Sequence, residues 1–95
     1  MDGEICRIVV QGRVQGVGFR YFTEATAQRL GVAGWVRNLP SGAVEVLARL
    51  DASNRDAFLE ALRNGPPAAR VDDLQLETIS GDSHCPPQGF SIRIH

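Results

Sequence analysis

Apolar and polar residues alternate with a period of two in several short runs, and two further runs repeat at steps of three and four. In residues 5–11, Cys6, Ile8 and Val10 fall on one face while Arg7 and Gln11 fall on the other, as in a half-buried strand. Phe19, Phe22, Thr26 and Leu30 recur at helical spacing and predict a helix over Tyr21–Leu30, ended by Gly31 as a C-terminal cap. At that spacing the aromatics read as core rather than as a stacking platform. Val32–Leu39 reads as a second strand, Pro40-Ser41-Gly42 as a tight turn, and Ala43–Leu50 as a third strand with Val44, Val46 and Ala48 on one face. Ser53 is the expected cap of a second helix, with Asp56 three residues on; Phe58, Ala61 and Leu62 form its apolar stripe. Asn64-Gly65-Pro66-Pro67 stops that helix. Val71–Ile79 reads as a fourth strand with Leu74 and Leu76 toward the core, and residues 80–88 as loop. Phe90, Ile92 and Ile94 then alternate against Ser91 and Arg93 in a short last strand.

The order strand, helix, strand, strand, helix, strand is the ferredoxin-like βαββαβ plan. This α+β sandwich has an antiparallel sheet with two helices on one face, and here an extra short C-terminal strand. Ninety-five residues, 43% of them apolar, suit a single domain spanning 1–95 with no internal linker. Such a plan hosts many activities, so the chemistry must come from a site.

The stretch Gly12-Arg13-Val14-Gln15-Gly16-Val17-Gly18-Phe19-Arg20 is the strongest candidate. It follows an apolar run, Ile8-Val9-Val10, and leads into the first predicted helix. Its glycines permit backbone conformations that turn several N–H groups toward one point. The helix adds its unpaired N-terminal N–H groups and the positive end of its dipole. Arg20 brings a planar, permanently charged fork to the same place. The chemistry is that of a phosphate or carboxylate cradle, although glycines before a helix also serve simply to turn the chain. The spacing is wrong for the dinucleotide fingerprint G-x-G-x-x-G. A nucleoside-triphosphate loop needs a lysine, and all ten basic residues here are arginine.

A net charge of −1 argues against binding a nucleic acid by phosphate neutralisation and suits a small anionic substrate better. No apolar run approaches the ~20 residues that span a membrane, and the acidic start Met1-Asp2-Gly3-Glu4 is unlike a signal peptide. A cytoplasmic location is expected. Cys6 reads as a core residue and Cys85 as a loop residue; whether they ever pair is left open. His84 and Cys85 are adjacent, with no second ligand pair at zinc spacing, so no metal is expected. No serine carries an elbow motif, and there is no lysine for a Schiff base. Electrostatics and positioning remain, which suits phosphoryl chemistry.

Gly-Arg-Val-Gln-Gly-Val-Gly-Phe-Arg at 12–20, followed by Gly34-Trp35-Val36-Arg37-Asn38 and Gly42-Ala43-Val44, resembles the two signatures of the acylphosphatase family. Phe90-Ser91-Ile92-Arg93-Ile94 is similar to that family's closing strand, so the likeness spans nearly the whole chain. One departure is Leu50-Asp51, where the family's second signature usually has a glycine. The resemblance implies hydrolysis of the carboxyl–phosphate bond of acyl phosphates, without metal or organic cofactor. It implies that N–H groups of Gln15, Gly16, Val17, Gly18, Phe19 and Arg20 hold the phosphate, that Arg20 neutralises it, and that Asn38 positions the attacking water. The bound phosphate would itself accept the water's proton. From the residues alone, Asn38 reads first as a turn residue ahead of Leu39-Pro40-Ser41-Gly42, and only the resemblance gives it a catalytic role. Arg13 and Arg37 read as solvated surface with at most a steering role. Expected partners are a small acyl phosphate only, with no nucleic acid or membrane and a monomeric chain. Two other readings are a non-catalytic anion-binding module of the same fold and an RNA-binding module. The latter would want exposed aromatics on the central strands.

Overall fold

In a computed structural model that describes residues 3–80 and 84–94, the chain runs β1 (Glu4–Arg13), α1 (Phe19–Leu30), β2 (Ala33–Asn38), β3 (Val44–Leu50), α2 (Arg55–Asn64), β4 (Arg70–Ile79) and β5 (Phe90–Arg93). Residues 81–83, within the expected 80–88 loop, lie outside the described residues. The sheet order is β4-β1-β3-β2-β5. β1 pairs antiparallel with β3 and β4, and β2 antiparallel with β3, as the βαββαβ plan requires. β5, the extra short strand, joins the far edge parallel to β2, with Gly34 opposite Phe90 and Val36 opposite Ile92, so the five-stranded sheet is mixed.

The predicted alternation becomes the core. Cys6, Ile8, Val10, Val36, Val44, Val46 and Ala48 are completely buried on one sheet face. Phe19 and Ala27 of α1 and Phe58, Leu59 and Leu62 of α2 belong to the same cluster, so both helices cover that face. Phe19 is 1% exposed, which makes it a core residue. The stripe of α2 uses Leu59 where the pattern suggested Ala61, which is only half-buried.

Gly31, in the left-handed conformation at φ 70°, closes α1 as expected; the N–H of Val32 reaches back to the carbonyl of Ala27 at 2.8 Å. Gly34 has a different reason. A Cβ there would stand 1.8 Å from the carbonyl oxygen of Leu47, so the β2–β3 pairing admits no side chain at this position.

Two expectations are corrected. Ser53 does not cap α2: Asn54 occupies the N-cap, and its carboxamide oxygen accepts from the N–H of Asp51 at 2.9 Å. The Asp51 carboxylate draws Ser53 away by accepting from both its N–H and its hydroxyl, and these bonds hold the Asp51 pKa below the usual carboxylate range. Ile94 does not face the core. β5 ends at Arg93, and Ile94 beyond it is 80% exposed. Leu50, the departure from the family signature, is 2% exposed and fills the core, while Asp51 builds the turn. The two cysteines are free, Cys6 buried and Cys85 half-buried.

The open sheet face is organised by charge. Glu45, 4% exposed, lies between Arg7 and Arg37, with the Arg37 Nε 2.6 Å from its carboxylate. Burial alone would raise the Glu45 pKa, but hydrogen bonds and charge from Arg37 and Arg7 outweigh it and hold the carboxyl below its ordinary range. Arg37 also lies over Trp35, 5.2 Å from the ring centroid, with Arg93 on the same ring at 5.0 Å. Arg37, expected as solvated surface, is therefore a structural residue. Trp35 is only 8% exposed beneath the two guanidinium groups.

Candidate active site

Strand register brings the two sequence motifs to one end of the sheet. Val10 of β1 is level with Val44 of β3, and Val44 with Asn38 at the end of β2. The chain leaves β1 at Arg13, beside that same end, and crosses residues 14–18 to enter α1.

Each loop residue has a distinct task. Val14 is 1% exposed and anchors the loop's start in the core. Gly16 (φ 74°) and Gly18 (φ 81°) both take the left-handed conformation that a side chain disfavours. Gly18 is the N-cap of α1 and supplies no side-chain acceptor, and no acidic residue occupies the helix's first turn. The first N–H groups of α1 are thus left to an external acceptor, with the dipole's positive end behind them. α2 differs, carrying Asp56 in its first turn.

Of the residues expected to hold phosphate, Val17 and Phe19 turn their side chains to the core, so each offers only its backbone N–H. Arg20 is half-buried, in the first turn of α1. Among the described residues its guanidinium has no hydrogen-bond or ion-pair partner, so its charge is not already neutralised. Gln15 holds a feature that the motif did not reveal. Its carboxamide crosses to the β2–β3 turn, where Nε2 donates to the carbonyls of Leu39 at 2.8 Å and Ala43 at 2.9 Å.

Asn38 is half-buried, and its Oδ1 is fully buried without a hydrogen-bond partner. The other such side-chain atoms among the described residues are Trp35 Nε1 and Arg49 Nε. A buried acceptor ordinarily finds a donor, which makes this atom an outlier in the fold. A cleft of about 440 Å³ opens beside Asn38, lined by Arg37, Leu39, Pro40 and Ile94. A larger cleft, about 560 Å³, lies at the opposite end of the sheet, between Gly31 of the α1 C-cap and Asn54 of the α2 N-cap. Neither cleft is lined by a residue of the 15–20 loop. Among the described residues no group of three or more His, Cys, Asp or Glu side chains is placed to hold a metal, and no helix is long and apolar enough to cross a membrane.

The acylphosphatase family model matches residues 6–92. The chain belongs to the acylphosphatase family. The acylphosphatase of Acaryochloris marina is 47% identical over 81 residues, which is 84% of this chain and 87% of that one. The crystal structure of the acylphosphatase from Bacillus subtilis superposes with a TM-score of 0.84 at 40% identity, covering 94% of this chain and 97% of that one. A longer protein, HypF of T. kodakarensis, contains a similar unit: TM-score 0.80 and 30% identity, covering 100% of this chain but 12% of that one.

Proposed function

We propose that this family member hydrolyses the carboxyl–phosphate bond of acyl phosphates with its 15–20 loop, Arg20 and Asn38 as the working parts. What supports the reading is that the glycine-bent loop, which enters α1 without a side-chain cap, and Asn38 stand at one sheet end, tied by Gln15. N–H groups of the loop from Gln15 to Arg20 bind the phosphoryl oxygens, and Arg20 balances their charge and orients the adjoining carbonyl. Asn38, whose carboxamide offers one acceptor and two donors, positions a water in line with the bond to be broken. The water oxygen attacks phosphorus and the phosphorus–oxygen bond to the acyl group breaks. Its electron pair departs with the carboxylate, and the water's proton passes to a phosphoryl oxygen. A carboxylate leaves readily, so no strong general acid is needed, and the positive charge comes from Arg20 and the loop rather than from a metal.

The same reading takes residues 1–95 as one domain acting in the cytoplasm as a monomer on a small substrate. A non-catalytic anion-binding module is the weaker alternative: it accounts for the loop but gives no task to Asn38. The deciding experiment measures phosphate release from benzoyl phosphate with EDTA present, beside an alkyl phosphate monoester. Turnover of the first and not the second is expected. Loss of activity with EDTA, or comparable turnover of the monoester, would refute the mechanism.

A further inference from the structure

Gln15 is the loop residue whose side chain points away from any obvious role in anion binding. It stands between buried Val14 and left-handed Gly16, so its backbone has little freedom. Its carboxamide spends both Nε2 hydrogens on Leu39 O and Ala43 O. Those two carbonyls already serve the turn itself: Gly42 N–H donates to Leu39 O at 3.1 Å, and Leu39 N–H to Ala43 O at 2.8 Å. The Gln15 amide is thus built into the hydrogen-bond set of the hairpin, one residue beyond Asn38. Among the described residues no other hydrogen bond joins residues 14–17 to this hairpin. Two carbonyl acceptors also fix which end of the carboxamide faces them, because its oxygen would be repelled.

We infer that Gln15 is a positioning residue for catalysis, its side chain setting the alignment between the phosphate loop and Asn38; this rests on the function proposed above. The loop and Arg20 hold the anion on one side of the tie, and Asn38 holds water on the other. In-line attack needs both sides in register, whereas binding of inorganic phosphate needs only one. A planar neutral amide with two donors meets the two carbonyls. Methionine has similar length and no donor, and glutamate turns negative oxygens toward them.

The test uses Gln15→Met and Gln15→Glu, each alone and combined with Asn38→Ala, with benzoyl phosphate as substrate and inorganic phosphate as competitive inhibitor. Each single Gln15 variant is expected to lower kcat by roughly 10- to 100-fold, as a misplaced reacting group does; in the uncharged Gln15→Met the phosphate inhibition constant moves less than about threefold, whereas the added charge of Gln15→Glu also weakens phosphate binding. In the Asn38→Ala background the same substitutions should change kcat by no more than about twofold, because the group being aligned is gone. Three results overturn the inference while leaving the proposed mechanism intact: unchanged kcat in both single variants, equal losses of kcat and phosphate binding in Gln15→Met, or fully additive losses of Gln15→Met with Asn38→Ala. An undiminished kcat in Asn38→Ala alone refutes the water-positioning role of Asn38, and this inference with it.

Discussion

Replacing Arg20 by glutamine removes one positive charge from the mouth of the loop and tests the electrostatic half of the mechanism. The magnitude follows from its surroundings. No carboxylate among the described residues pairs with Arg20, and the first turn of α1 has no acidic residue, so the whole charge is available to a bound phosphate. Two unit charges ~4 Å apart interact by about 4 kcal/mol at an effective dielectric constant near 20. Arg20 is half-buried rather than enclosed, so water screens part of this. The expected loss is roughly 2–4 kcal/mol, or about 10²- to 10³-fold in kcat/KM. Because ground state and transition state both carry the phosphoryl charge, phosphate inhibition should weaken together with turnover. Arg20→Lys restores the charge without the two-pronged geometry and should recover only part of the loss. Steady-state kinetics with benzoyl phosphate, phosphate inhibition and a thermal unfolding curve for each variant make the assay. A folded Arg20→Gln protein with kcat/KM within about threefold of the parent would refute the reasoning, since a loss that small cannot represent a direct contact with the reacting charge.

Asn38→Ala should behave differently, lowering kcat by about 10²-fold while phosphate inhibition stays near its parent value, because positioning the water is a transition-state task; steady-state kinetics with phosphate as inhibitor provide the check. Glu45→Gln should destabilise the fold at neutral pH by about 1–2 kcal/mol, less than a fully buried pair would lose because Arg7 and Arg37 are partly in water. The folded state holds Glu45 below its ordinary pKa, so its contribution is complete above pH ~4.3 and lost as pH falls through the lower folded value. Urea unfolding should therefore find parent and variant converging in acid, and an equal difference at pH 3 and pH 7 would contradict the ion-pair account. Gly34→Ala should cost at least ~3 kcal/mol or prevent folding, since its Cβ would stand 1.8 Å from Leu47 O and the β2–β3 ladder would have to part; a near-parent unfolding midpoint would show that the pairing is looser than the register implies.

Much of this architecture is written in short stretches of chain. The alternation of Cys6, Ile8 and Val10 and of Val44, Val46 and Ala48 identifies strands and their buried face, because successive side chains of any strand point to opposite sides. Gly31 marks a helix end through a backbone requirement confined to one residue. The turn of the chain into α1 is equally local, since it depends on the left-handed conformations of Gly16 and Gly18.

What the sequence left undetermined involves partners distant in the chain. Ser53 is a good cap by type, but Asp51 competes for it and Asn54 takes the position. Ile94 continues an alternating pattern, yet it stands beyond the last paired residue, Arg93, and no neighbouring strand covers it. Arg37 and Glu45 are ordinary surface residues until β2 and β3 pair, when they meet each other and Arg7. The parallel seating of β5 beside β2 depends on which sheet edge remains open after the other strands have paired. Gln15 is the clearest case: its acceptor on Ala43 lies 28 residues away. Periodicity and backbone preference are properties of a segment and can be read from it. A hydrogen bond across the fold exists only once both segments are in place, so the alignment of the loop with Asn38 was decided by the tertiary structure.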